Sequence, residues 1–101
     1  MSDYIYPAVF TNEGSCGFGV VFPDLEDCAT SGECLAEAIS NAEDALSLML
    51  YEMRKNGEEI PNPSLEDDIR DEYPDADVVM TIEGDPDFYE RYFAEYHPEV
   101  S

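Results

Sequence analysis

The chain has 101 residues, about the size of one domain, and 44% of them are apolar, which is enough material for a hydrophobic core. It carries 25 Asp and Glu against 4 Lys and Arg, a formal net charge of −21. Proteins neutralise nucleic-acid phosphates with Lys and Arg, so this charge argues against direct DNA or RNA binding and against docking on an anionic membrane. It attracts basic proteins instead and speeds their encounter. The alternative is that the acidity serves only solubility or salt adaptation.

The beginning of the chain and its cysteines predict a compartment. No basic n-region or long apolar run follows Met1, and no stretch is apolar enough to span a membrane. Cys16, Cys28 and Cys34 are odd in number and contain no CxxC pair. We therefore expect a reduced, cytoplasmic protein with free thiols.

The first part of the chain predicts a β-hairpin. Apolar residues alternate within Tyr4–Thr11 and again within Gly17–Phe22, and a polar turn at 12–15 separates the two runs. Pro7 lacks an amide donor, which suits a sheet edge or an irregularity. A short third strand is expected at Cys28–Thr30.

A turn at 31–33 then leads into the clearest element, a helix with an apolar stripe over five turns. Its members recur at helical spacing: Leu35, Ala38, Ile39, Ala42, Ala45, Leu46, Met49, Leu50 and Met53. Cys34 and Glu37 occupy the N-cap and N3 positions, and Asn56-Gly57 supplies a stop. The β-sheet is the only surface on which this stripe can be buried.

The second half predicts a short helix at 64–69 capped by Ser64, a strand at 77–82 and a last helix at 85–97. Both faces of the strand are apolar, so an interior position in the sheet is expected. The last helix bears an aromatic stripe: Phe88, Tyr89, Tyr92, Phe93 and Tyr96. The stripe either packs on the sheet or forms a homodimer contact. The order β-β-β-α-(α)-β-α predicts an α+β fold with a mostly antiparallel sheet of three to four strands and one long helix packed on it.

Several short motifs, in their order and spacing, are similar to those of one known family. They are Tyr6-Pro7-Ala8-Val9-Phe10, Phe22-Pro23-Asp24-Leu25, Cys28-Ala29-Thr30, Ser31-Gly32-Glu33, Glu37-Ala38, Asn41-Ala42, Ala45-Leu46, Gly57-Glu58-Glu59-Ile60-Pro61 and Tyr73-Pro74-Asp75-Ala76. Together they resemble the HicB-like antitoxins of toxin–antitoxin pairs, over roughly Tyr4 to Tyr92.

The resemblance implies a single partial RNase H-like domain over residues 1–101, with the helix at 85–97 as an extension. It also implies an activity, which is to bind and block HicA, a small basic toxin with a double-stranded-RNA-binding-domain-like fold that cuts mRNA. Many members continue into a DNA-binding domain. This chain ends at Ser101, about where such a domain would begin, so we do not expect operator binding.

No catalytic, cofactor or metal site is predicted. His97 stands alone, and Cys28 and Cys34 lack partners at metal-ligand spacing. The acidic runs at 66–68 and 85–87 lack EF-hand spacing. A two-metal nuclease would need carboxylates inside the sheet, where the predicted residues are apolar. A metal-dependent enzyme is accordingly only the third hypothesis.

The predicted partner-binding residues are Asp24, Glu26, Asp27 and Glu33, on irregular backbone expected at one end of the sheet. The alternative is a solvated acidic loop. The leading hypothesis is a non-catalytic inhibitor that covers a basic toxin and places carboxylates where RNA phosphates would lie. The alternative from another class is an acidic nucleic-acid mimic or adaptor that binds a different basic protein.

The charge also predicts how salt acts on the free protein. Exposed like charges repel over roughly a Debye length, about 8–10 Å at physiological salt, and added salt screens that repulsion. We expect the melting temperature to rise between low and moderate NaCl, as followed by circular dichroism. A fall over that range would contradict the prediction.

Overall fold

A four-stranded antiparallel sheet in the order β3-β2-β1-β4 forms the centre of the computed structural model, which describes residues 4–25 and 28–96. The elements are β1 (Ile5–Asn12), a 3-10 turn (Gly14–Cys16), β2 (Phe18–Val21), β3 (Ala29–Gly32), α1 (Leu35–Lys55), α2 (Glu66–Glu72), β4 (Val78–Glu83) and α3 (Pro86–Tyr96). The α+β class and the order of the elements are confirmed. Position 97, included in the expected last helix, lies outside the described residues.

The long helix α1 covers one face of the sheet, as its stripe predicts. Ala38, Ala42, Leu46 and Leu50 are fully buried, and they share one hydrophobic core with alternate residues of β1 such as Phe10. Side chains of a strand point alternately to its two faces, so every second residue of β1 reaches this core. The burial of the stripe on the sheet therefore fixes the register of β1.

Pro7 lies where β1 is locally an edge. β1 pairs with β4 from Ile5 to Phe10 but with β2 only from Val9 onward. The first half of β1 therefore has one neighbouring strand, which is a position where a residue without an amide donor is tolerated. This confirms the expectation for Pro7.

The expectation that the strand at 77–82 lies inside the sheet is wrong, since β4 is an edge strand. The face of β4 away from α1 is buried by α2, and no further strand is needed to explain its apolar residues. Ile69 of α2 packs with Val79 and with Val9 of β1 in a small second core on the face away from α1. Both faces of β4 are apolar because α1 covers one face and α2 covers the other.

The helix α3 packs on α1, so the expected packing on the sheet is wrong for the described rings of its aromatic stripe, Phe88, Tyr89 and Tyr92. The side chains of Phe93 and Tyr96 lie outside the described part of the structure. The rings of Tyr51 and Tyr89 lie 6.3 Å apart, and Arg54 of α1 reaches Asp87 at 2.7 Å and Glu90 at 3.1 Å. The alternative, a homodimer contact, stays a prediction.

The turn expected at 31–33 lies partly inside β3, which continues to Gly32. A Cβ at Gly32 would lie 2.4 Å from the backbone nitrogen of Ala38, so the glycine permits a close approach of β3 to the first turn of α1. The first turn of α1 begins after Cys34, whose side chain makes no capping hydrogen bond. Glu37 Oε1 instead accepts a hydrogen bond from the Glu33 N–H at 2.7 Å.

We expect Gly32→Ala to destabilise the protein by about 3 kcal/mol, the upper part of the range for overpacking, because backbone atoms of α1 must move. Gly19→Ala in β2 is the matched control. Its Cβ would meet only the side chain of Glu13, which is exposed and can rotate away. Urea unfolding of both variants measures the difference, and a Gly32→Ala midpoint equal to that of the control would contradict the close-packing argument.

Candidate functional site

A cleft of about 460 Å³ opens between the turn after β2, the last turns of α1 and the segment that follows α1. Its lining residues are Asp24, Leu25, Met49, Glu52, Met53, Asn56, Glu58 and Pro61. Leu25 is buried and the two methionines are half-buried, so the floor is apolar, whereas Glu52 and Glu58 are exposed at the rim. The cleft thus combines an apolar floor with negative charge.

The walls of the cleft are held by specific hydrogen bonds. The Asp24 carboxylate accepts two bonds from Ser64, from the backbone N–H at 2.7 Å and from the hydroxyl at 2.6 Å. The Tyr6 hydroxyl donates to the Pro61 carbonyl. The Leu25 N–H donates to the Phe22 carbonyl at 3.0 Å, which closes the turn after β2. These bonds fasten two loops to each other and to β1, so the cleft is preformed.

The Asp24–Ser64 contact corrects the expected role of Ser64. It is not the cap of the helix that follows, because α2 starts after Leu65 and has no side-chain cap. Ser64 uses its hydroxyl and its amide on a residue 40 positions earlier in the chain. No local pattern in the sequence predicts a pair between residues so far apart in the chain.

The structure separates two of the predicted partner-binding residues. Asp24 follows β2 and Glu33 follows β3, and these antiparallel strands pair Val21 with Ala29 at one end and Phe18 with Gly32 at the other. Asp24 and Glu33 therefore lie at opposite ends of the hairpin, and the expectation of one shared end is wrong for this pair. Glu26 and Asp27 lie outside the described residues.

Burial alters the acid–base properties of two groups near the core. The pKa of the Tyr6 hydroxyl is raised, mainly by burial and further by the charge of Asp24 and by Tyr4. Burial also raises the pKa of the Cys28 thiol to about 11, so this cysteine stays protonated and unreactive at neutral pH. Cys34 is exposed at the start of α1.

Within the described ranges, no cluster of three or more His, Cys, Asp or Glu side chains has a geometry that could hold a metal ion. None of the helices described there is long and apolar enough to cross a membrane.

The described part of the chain uses two of its cations internally. Arg54 pairs with the acids of α3, and Arg70 pairs with Glu66 at 2.6 Å and donates to the Val79 carbonyl of β4 at 3.2 Å. Both guanidinium groups thereby fasten helices, and neither lines the cleft.

This fold and its acidic cleft can be compared with known proteins. A family model described as the HicB_like antitoxin of bacterial toxin–antitoxin systems matches residues 6–91. The chain belongs to the HicB-like antitoxin family. The resemblance drawn from the sequence motifs is thereby confirmed. No curated protein matches the chain at a significant level.

Solved structures share the fold of this HicB-like chain. A toxin–antitoxin complex from Streptococcus pneumoniae superposes with a TM-score of 0.72 at 24% identity, over 84% of this chain and 71% of that one. The N-terminal domain of antitoxin HicB from Burkholderia pseudomallei gives 0.64 at 22% identity, over 77% and 94%. A HicA3 and HicB3 toxin–antitoxin complex gives 0.63 at 28% identity, over 81% and 99%. The expected α+β fold, with a mostly antiparallel sheet and one long helix packed on it, is confirmed, and it is similar to that of a HicB N-terminal domain.

The residues that sequence reasoning missed are those that α1 and the following segment bring to the cleft, above all Glu52 and Glu58. The sequence signal that could have indicated them is the length of α1 relative to the strands. A helix of 21 residues is about 31 Å long, whereas strands of 4 to 8 residues span about 13–27 Å. The last turns of α1 extend beyond the short strands β2 and β3, and Met49 and Met53 are only partly buried there.

We expect Asp24→Asn to lower the free energy of unfolding by about 1–2 kcal/mol, because a neutral amide replaces a charged acceptor of two hydrogen bonds. Ser64→Ala should remove much of the same energy, so the double variant should cost less than the sum of the two single variants. Glu33→Gln, at an exposed position, is the control and should stay within about 0.5 kcal/mol of wild type. Strict additivity in urea unfolding would show that the Asp24–Ser64 pair is not energetically coupled.

Proposed function

We propose that this chain is a non-catalytic antitoxin that binds and neutralises a small basic, mRNA-cleaving toxin of the HicA type in the cytoplasm. The observation that carries the proposal is the preformed cleft in a HicB-like fold, with an apolar floor and a carboxylate rim. Family membership supports the antitoxin role, and the similar HicA3 and HicB3 complex supports the class of partner.

Electrostatics supports a basic partner. A toxin that cuts mRNA must attract phosphates with Lys and Arg, and the same groups are attracted by a chain of net charge −21. Rim carboxylates such as Glu52 and Glu58 would occupy positions that RNA phosphates take on the toxin. Long-range attraction speeds the encounter, and the apolar floor supplies the area that is removed from water on binding.

The sequence-predicted residues enter this proposal in different roles. Asp24 supports the cleft through Ser64, so its contribution to binding is to hold the wall in place. Glu26 and Asp27 directly follow Leu25 in the chain, and we propose that their carboxylates bind the basic partner. Glu33 lies at the other end of the β2–β3 hairpin and would contribute through the long-range field.

The decisive experiment uses the full chain and the HicA-type protein encoded beside its gene, if the genome holds one. The toxin alone should cleave RNA, and an equimolar amount of this chain should abolish the cleavage. Loss of inhibition at high salt would show the electrostatic component. A chain that does not bind the toxin, but captures several unrelated nucleic-acid-binding proteins at low salt, would contradict the proposal and favour the mimic or adaptor function.

Charge variants then locate the interface. We expect Glu52→Gln with Glu58→Gln to slow association with the toxin about three- to tenfold and to flatten its salt dependence, since removing interface charges acts mainly on the association rate. The control is Asp71→Asn with Glu72→Gln, which removes the same charge from exposed positions of α2 on the opposite face of the sheet. Glu26→Gln with Asp27→Asn tests the loop after β2. Equal effects of the cleft and α2 variants would place the interface away from the cleft.

A further inference from the structure

A second acidic surface lies at the junction of α1 and α3, away from the cleft. It is a recess of about 250 Å³ in which four carboxylates meet aromatic rings, and neither Lys nor Arg lines it. The groups that matter are Glu43, Asp44, Glu83, Asp85, Phe88 and Tyr89. The carboxylates come from three places, the first half of α1, the end of β4 and the start of α3.

The aromatic part of this surface is open to solvent. Phe88 is 50% exposed and Tyr92 is 43% exposed, although large apolar side chains are normally covered. Their rings stack with centroids 6.2 Å apart at an interplanar angle of 28°, and Tyr89 meets Phe88 edge-on at 5.2 Å. The rings of Phe88 and Tyr89 thus lie beside the carboxylates of the recess, and Tyr92 extends the aromatic surface next to Phe88.

The recess is fixed by the fold. The hydroxyl of Ser47, a buried polar side chain, accepts a hydrogen bond from the Asp85 N–H at 2.8 Å and donates to the Glu43 carbonyl at 2.7 Å. On the other side of α3, Arg54 holds Asp87 against α1. The start of α3 is therefore held on both sides, and its rings are already in position before any partner arrives.

Carboxylates beside aromatic faces match the chemistry of an arginine side chain. A guanidinium group donates in a planar fork to carboxylates and stacks its flat face on aromatic rings. The four carboxylates make the field at the recess negative. The pKa of the Tyr89 hydroxyl is raised, by burial first and by the charge of Asp44 next. A second copy of this chain is a poor occupant, because the acids of two recesses would face each other and repel.

We propose that the α3 surface, defined by Phe88, Tyr89 and Tyr92 with the adjacent recess, is a docking site for an arginine-bearing segment of the basic protein partner. The identity of that partner rests on the function proposed above. The guanidinium enters the recess between the carboxylates, and the apolar stem and neighbours of the arginine cover the exposed rings.

The cleft and the α3 surface lie on different flanks of α1. Successive residues of a helix are about 100° apart around its axis, so Glu43 and Ser47 lie on the opposite flank of α1 from Glu52. A partner that uses both the cleft and the α3 surface must straddle the solvent-facing side of α1. The two surfaces would then contribute separately to one complex.

The first test needs no toxin. ¹⁵N-labelled full-length protein is titrated with N-acetyl-arginine methylamide and, as a neutral control of nearly the same shape, N-acetyl-citrulline methylamide. We expect saturable shifts centred on residues 44, 47, 85 and 87–89, and about tenfold weaker binding of the citrulline compound. Asp44→Asn should weaken the arginine effect while the rings stay in place. Equal binding of the two compounds, or arginine shifts spread evenly over the acidic surface, would overturn the proposal.

The second test uses the HicA-type toxin. Phe88→Ala with Tyr92→Ala should weaken the complex about tenfold, the typical effect of removing aromatic anchors, while the melting temperature stays close to wild type because both rings are exposed. Leu65→Ala with Val21→Ala is the control, since these side chains are 71% and 42% exposed elsewhere on the protein. The conservative pair Phe88→Tyr with Tyr92→Phe should bind like wild type.

The outcomes separate the two proposals. If the wild-type chain binds the toxin and the Phe88/Tyr92 alanine variant binds it with the same affinity, the α3 surface is not a docking site. The antitoxin function then stays intact. A wild-type chain that does not bind the toxin removes the proposed function, and the arginine titration then decides whether the α3 surface recognises arginine. Self-association of the wild-type chain that the alanine pair abolishes would assign the surface to a second copy and would also overturn the proposal.

Discussion

The close packing of α1 on the sheet is the constraint on which the rest of the structure depends. Gly32 lets the backbone of β3 approach the first turn of α1 to a distance that no other residue permits without movement. Further along, Ala38 and Ala42 continue the small contact surface before Leu46 and Leu50 fill the core. The helix is thus held against the sheet at its start, and its extra length emerges at the other end. The cleft lies there, where α1 extends beyond the short strands β2 and β3.

A net charge of −21 would oppose this compact state unless the few cations were well used. Arg54 lies at the crossing of α1 and α3, where it neutralises two acids, and Arg70 fastens α2 to the outer strand β4. The remaining carboxylates are mostly exposed to water, where high dielectric keeps their repulsion small. Positive charge therefore serves internal contacts, and the outward field is left negative for a partner.

Periodic patterns made most of the fold predictable, and long-range geometry accounts for what they missed. The stripe of α1 and the alternation in β1 report directly which side of each element is buried. The two apolar faces of β4, in contrast, fit either a central strand or an edge strand between two helices, and only the strand pairing, in which β4 neighbours β1 at the end of the sheet, decides between them. The same limit applies to Asp24. Its acidic side chain reads as a partner-binding group in the sequence, yet its carboxylate is engaged by Ser64, 40 residues away.

In the candidate site, too, long-range geometry decides which residues lie together. Sequence proximity grouped Asp24 with Glu33, but an antiparallel hairpin sends residues that follow its two strands to opposite ends. The acids that do share a cleft, Glu52 and Glu58, are joined by the turn after α1, which Gly57 closes at a positive φ of 74°. Under the proposed function, recognition depends less on clusters in the sequence than on where α1 ends and on which residues its two flanks expose. A rigid helix with acidic surfaces on both flanks presents carboxylates at a fixed spacing, and the proposed function requires such carboxylates to take the positions of RNA phosphates on a basic protein.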